Sequence, residues 1–120
     1  MRPPRRTMSN DGAPRQATVL TLVSNARRRR VIWTLAALDA PVDVETLTGF
    51  VVSLEAADTA AATQWQDRRS VRHNLKQRHL VQLSEAGIIT WTETVQPGPH
   101  FPIALRTLAA SGTAPSVTHD

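Results

Sequence analysis

The chain has 120 residues, 41% apolar and only 4% aromatic, with no cysteine and a net charge of +4. That is one domain with a modest core, no disulfide framework, no thiolate chemistry and no apolar run near the about 18 residues of a membrane span. Arg2, Arg5 and Arg6 are followed by no apolar stretch, which predicts no secretory signal and a soluble, cytoplasmic protein.

Residues 1–15 are rich in Pro and Arg and predict a disordered basic tail. Met8 is a second candidate start, and without residues 1–7 the net charge falls to +1. Gln16 to Val23 predicts a short helix, with Val19, Leu20 and Leu22 as a candidate homodimer seam. Ser24 or Asn25 then caps a second helix from about Ala26 to Leu38, whose stripe is Val31, Ile32, Leu35, Ala36 and Leu38. Asp39-Ala40-Pro41 ends it, and Asp43 opens a third helix buried through Val44, Leu47, Val51 and Leu54, with Phe50 widening that face.

Thr63-Gln64-Trp65-Gln66 fits a capping box at the head of a basic helix from about Thr63 to Ala86. Val71, Leu75, Leu80, Leu83 and Ala86 are its core candidates. Leu80 falls about 140° from Leu75 on a regular helix, so the spacing predicts a kink or break near His79. Gly87 suits a left-handed C-cap, and Ile88 to Val95 predicts a strand. Gln96-Pro97-Gly98-Pro99 reads as a turn and His100 to Leu105 as a returning edge strand, so the hairpin spans about 88–105. The folded domain is then 16–110, with a disordered tail over 111–120. Trp33, Trp65 and Trp91 read as packing residues.

Charge concentrates in three places: residues 1–7 carry +3, Arg27 to Arg30 carry +4 and Asp67 to Leu80 carry +4, so the remainder sums to −7. Basic patches on an acidic body suit a polyanion. Arg68, Arg69, Arg72, His73, Asn74, Lys76 and Gln77 are the candidate DNA-contacting residues. Arg binds guanine bidentately, Asn and Gln suit adenine, and Lys76 suits phosphate. Arg29 and Arg30 are read as facing out beside the groove, with ion pairing to Glu45, Glu55 or Glu85 as the equal alternative.

An enzyme is not expected, since there is no Gly-rich phosphate loop, nucleophile elbow or HExxH. His73 and His79 are six apart and form no i, i+4 metal pair, so no metal or cofactor is predicted. His79 reads as a hydrogen-bonded core residue.

Three stretches carry a resemblance. Ser24-Asn25-Ala26-Arg27-Arg28-Arg29-Arg30-Val31, Pro41-Val42-Asp43-Val44-Glu45-Thr46-Leu47, and His79-Leu80-Val81-Gln82-Leu83-Ser84-Glu85-Ala86-Gly87-Ile88-Ile89 resemble a family of uncharacterised winged-helix domains abundant in haloarchaea. Its pattern is S-N-x-R-R-R, then P-V-(S/D)-L-x-x-L, then H-L-x-x-L-x-x-A-G-(V/I)-(V/I), and the likeness covers about residues 17–95. Val81 stands where members often carry proline, the hairpin is Pro-rich, and the chain is net basic.

The resemblance implies a mainly α winged helix-turn-helix with a small β-hairpin, acting as a sequence-specific transcriptional regulator on double-stranded DNA. The basic helix would enter the major groove, and the hairpin around Pro97-Gly98 would lie on the backbone or minor groove. The alternative is a winged-helix protein–protein interaction module that does not bind DNA.

Overall fold

A computed structural model describes residues 14–58 and 67–111. Among the described residues the fold is mainly helical with one small antiparallel sheet. Helix α1 (Gln16–Val23) runs into α2 (Ala26–Leu38) through Asn25, whose side chain accepts from the Arg28 N–H. Asp39 ends α2 in the left-handed region at φ 55, which the short polar Asp tolerates better than most side chains. Helix α3 (Val44–Asp58) is capped by Asp43, whose Oδ1 accepts from Thr46 N at 2.7 Å. That bond holds the Asp43 carboxyl below its usual pKa.

The basic helix begins at Arg68, not Thr63. Asp67 is its N-cap, in extended geometry, with Oδ1 accepting from Ser70 N at 2.7 Å. The Thr63–Gln66 capping box and Trp65 lie outside the described residues, as do the two tails and Met8. Helix α4 (Arg68–Asn74) passes through a π turn, Leu75–His79, into α5 (Leu80–Glu85).

The π turn is the predicted break, and the apolar spacing demands it. It closes with Leu80 N–H on Leu75 O, taking up one more residue than an α turn. Val71, Leu75, Leu80 and Leu83 thereby share the buried side. In an unbroken α-helix Arg78 would lie about 20° from Val71, facing the core; instead Arg78 is exposed and His79 is buried.

Gly87, at φ 76, ends α5 in a Schellman arrangement: Gly87 N donates to Ser84 O and Ile88 N to Leu83 O, both at 3.0 Å. Strands β1 (Ile89–Trp91) and β2 (Val95–Pro97) then pair with Thr90 opposite Gln96. Val42 adds a one-residue bridge to Val95, through bonds of 3.0 and 2.7 Å in the two directions. That bridge ties the α2–α3 connection to the hairpin.

The hairpin is shorter than expected, spanning 89–97, and its tip is Thr92-Glu93-Thr94, not Pro97-Gly98. Gly98 packs where a Cβ would lie 2.6 Å from Gly87 O. The predicted strand over His100–Leu105 is instead the start of α6 (Phe101–Ser111). Pro102 stands in the first turn, where no N–H is required, and Phe101, Ala104 and Leu108 recur at helical spacing on the buried side.

Helix α6 packs on α1 and α2. Val19 and Leu22, two of the three proposed seam residues, are therefore inside this chain's own core, and only Leu20 is exposed, at 47%. Phe50, expected to widen the buried face of α3, is 42% exposed; Thr48 is buried there, its hydroxyl donating to Val44 O at 2.7 Å. Trp33 and Trp91 pack against the core edge. No helix among the described residues is long and apolar enough to cross a membrane.

Candidate nucleic-acid interface

The buried line of α4 fixes which of its polar side chains face away. At about 100° per residue, Arg69, His73 and Lys76 fall roughly 140–200° around the helix from Val71. All three are exposed, as are Gln77 and Arg78 in the π turn. These side chains make an exposed face of four cations or potential cations with one amide, away from the core.

The other predicted contacts sit on the flanks. Arg68 and Arg72 lie toward α3, where both meet Glu45. Arg68 donates from Nη2 to the Glu45 carbonyl at 3.1 Å, and Arg72 Nε lies 3.1 Å from Glu45 Oε2. Gly49 makes room for the Arg68 guanidinium, which comes within 2.9 Å of where a Cβ would be. These pairs are well exposed and contribute little to stability, so both arginines can exchange Glu45 for an external anion at small cost.

On the other flank Asn74 turns inward, and its Oδ1 accepts from Arg27 Nη1 at 2.7 Å. Of the nine predicted contacts, Arg69, His73, Lys76 and Gln77 are on the outward face, Arg68 and Arg72 lie on the α3 flank, and Asn74, Arg29 and Arg30 turn inward.

The four-arginine run of α2 is an internal scaffold, not a second basic patch. Arg27 donates from Nε and Nη2 to the two carboxylate oxygens of Glu55, at 2.5 and 2.9 Å. Arg30 Nη1 lies 3.8 Å from the same carboxylate. Arg29 is half-buried and donates to Val23 O at 3.0 Å. Of the two readings open for Arg29 and Arg30, internal pairing holds for Arg30 with Glu55, and Arg29 caps a carbonyl of α1.

Arg28 is the functional candidate that no sequence signal singles out. It is 7% exposed and reaches both α1 and the basic helix. His79, 3% exposed, sits beside it with Nδ1 at 3.2 Å from Arg28 Nη1. Burial first, then the charge of Arg28, pulls the His79 pKa down to about 4. His79 is thus neutral near pH 7; facing a permanent donor, Nδ1 accepts and Nε2 carries the proton. The expectation of a hydrogen-bonded core histidine holds.

The hairpin offers no matching charge. Residues 88–99 contain no Lys or Arg, and the tip carries Glu93. A phosphate contact through this tip is electrostatically unfavourable, and Pro97-Gly98 lies at the other end of the hairpin. Away from the basic helix, α1 and α6 enclose a groove of about 490 Å³ lined by Val19, Leu20, Ile103, Arg106, Thr107 and Ala110 among others.

A family of domains described as a domain of unknown function, DUF7344, matches residues 20–96. The chain belongs to the DUF7344 family. The DUF7344 segment holds the second half of α1, all of α2 to α5 and the hairpin up to Gln96, so the exposed basic face and the arginine scaffold both lie within it. Helix α6 lies beyond it. No curated protein and no solved structure matches the chain.

Proposed function

We propose that this protein is a winged helix-turn-helix DNA-binding protein that acts as a sequence-specific transcriptional regulator. The observation that carries the reading is the outward face of α4 and its π turn, where Arg69, His73, Lys76 and Gln77 project together opposite Val71 and Leu75. A helix of about 10–12 Å diameter fits the major groove of B-DNA, and this set supplies guanine, adenine and phosphate contacts. Arg68 and Arg72 flank the face and reach phosphates on release from Glu45. The fold order supports the same reading: α2, the Val42 bridge, α3, the basic helix and a β-hairpin succeed one another as in a winged helix. The basic helix does the contacting, and the acidic hairpin tip stays off the phosphates.

One observation favours the second reading, a protein–protein interaction module. The Glu93 tip and the groove between α1 and α6 are surfaces that DNA contact leaves unused.

Fluorescence anisotropy with the gene's own upstream DNA and a scrambled duplex tests the proposal, using wild type and a variant with Arg69, His73, Lys76 and Gln77 changed to Ala. Tighter binding to the upstream duplex, lost in the folded variant, is the expected result. Equal weak binding by both proteins to both duplexes would refute it.

A further inference from the structure

Arg28 is a buried cation whose polar contacts are all with uncharged groups. Its Nε donates to Leu22 O at 2.7 Å and its Nη2 to Thr21 O at 3.3 Å, both in the last turn of α1. Its Nη1 donates to Gln82 Oε1 at 2.6 Å and meets His79 Nδ1 at 3.2 Å. None of these four acceptors is a carboxylate.

The carbonyls of Thr21 and Leu22 lie at the negative end of α1, where backbone acceptors want a donor and a positive charge is favoured. One planar guanidinium therefore joins the end of α1 to the π turn and to α5: His79 is the last residue of the turn, and Gln82 lies in α5.

Taking a cation out of water without an anion is costly, and an apolar side chain of similar size would fill the same space more cheaply. What an apolar side chain cannot do is fix two helices through directed bonds. The fork geometry is specific to arginine, because a lysine ammonium cannot reach acceptors on opposite sides in one plane. The π turn is also the point where the direction of the outward face is decided. Arg69 and His73 precede it, Lys76, Gln77 and Arg78 lie within it, and a change in its winding rotates the later side chains relative to the earlier ones.

We propose that Arg28 is a positioning residue for DNA reading: by holding His79 and Gln82 against the end of α1, it fixes the π turn and the relative direction of Arg69, His73, Lys76 and Gln77. The inference rests on the DNA-binding reading above. Arg28 touches no base or phosphate, and its effect falls on sequence discrimination, not on phosphate attraction.

The test uses the full chain and two variants, Gln82→Met and Arg28→Lys. Gln82 is half-buried at the helix surface, so Gln82→Met removes one bond to α5 and leaves the core in place. Wild type first selects duplexes from a random library. Affinities for the selected duplex and for a scrambled one are then measured for all three proteins, with the folded fraction checked by circular dichroism.

A merely destabilised protein weakens on both duplexes in the same proportion. Positioning predicts a fall in the selected-to-scrambled ratio of about ten-fold in each variant, with scrambled affinity within about two-fold of wild type. Backbone amide shifts of residues 73–78 in free Gln82→Met, larger than those of Val31 or Leu47, are expected alongside. A wild-type ratio well above one that both folded variants retain would overturn this proposal alone. Failure of wild type to enrich any duplex would overturn the DNA reading and this proposal together.

Discussion

Acidification from pH 7 to 4 is expected to weaken the fold through His79. In the folded protein its pKa lies near 4, against 6.5 for an unhindered imidazole. As the pH falls through 6.5 the unfolded chain takes up the proton and the folded chain does not, so stability drops with falling pH. The loss begins near 6.5 and is complete near 4.

At 1.36 kcal/mol per pKa unit the shift amounts to about 3 kcal/mol, a large share of the about 5–15 kcal/mol that holds a typical domain together. The Asp43 and Asp67 carboxyls, also held below their ordinary 3.8, lose their caps only below that window, so they do not obscure it. Urea unfolding at half-unit pH steps, for wild type and His79→Gln, reads the effect directly. Glutamine keeps an acceptor for Arg28 and cannot be protonated in this range. The wild-type curve should slope by up to about 1.4 kcal/mol per pH unit between 6.5 and 4, and the His79→Gln curve should be nearly flat. A flat wild-type curve, or an equal slope in the variant, would refute the assignment of a neutral, buried His79.

Four further outcomes follow from the packing. Deleting Gln77 should convert the π turn into an ordinary α turn and preserve the register of Val71, Leu75, Leu80 and Leu83, leaving stability within about 1 kcal/mol by urea unfolding. Leu80→Ala, in contrast, opens a fully buried site and should cost about 2–5 kcal/mol by the same measurement. Asn25→Ala removes the side-chain acceptor for Arg28 N and should cost about 1 kcal/mol, read as a lower urea midpoint at unchanged slope. Gly87→Ala meets both a φ of 76 and the His100 ring, 2.7 Å from the new Cβ, and should cost at least about 1 kcal/mol in thermal unfolding.

Much of the helical frame was legible because its signals are local. Asn25 and Asp43 cap where their side chains are expected to, Gly87 takes the positive φ that a stop before Ile88-Ile89 requires, and the bounds of α1 and α2 follow the apolar stripe. The mismatch between Leu75 and Leu80 was legible too, as a break whose physical form is the π turn. Helix α6 was missed because His100-Phe101-Pro102-Ile103 has local β character, whereas the decisive signal is the spacing of Phe101, Ala104 and Leu108 against α1 and α2.

The candidate site was legible only in part, for a similar reason. A basic run gives no direction by itself, and direction comes from partners distant in sequence. Glu55 turns Arg27 and Arg30 inward, Gln82 and the carbonyls of α1 capture Arg28, and Arg27 claims Asn74. Arg69, His73, Lys76 and Gln77 were legible because they lie opposite Val71 and Leu75, a relation that periodicity alone supplies.

The salt dependence of duplex affinity, measured for wild type and for Lys76→Ala, tests the central claim most directly. Phosphate contact by this face predicts a slope of log K against log salt of several negative units in wild type. In Lys76→Ala the slope should be shallower by about one unit. No measurable duplex binding, or a slope identical in the two proteins, would contradict the placement of this face on DNA.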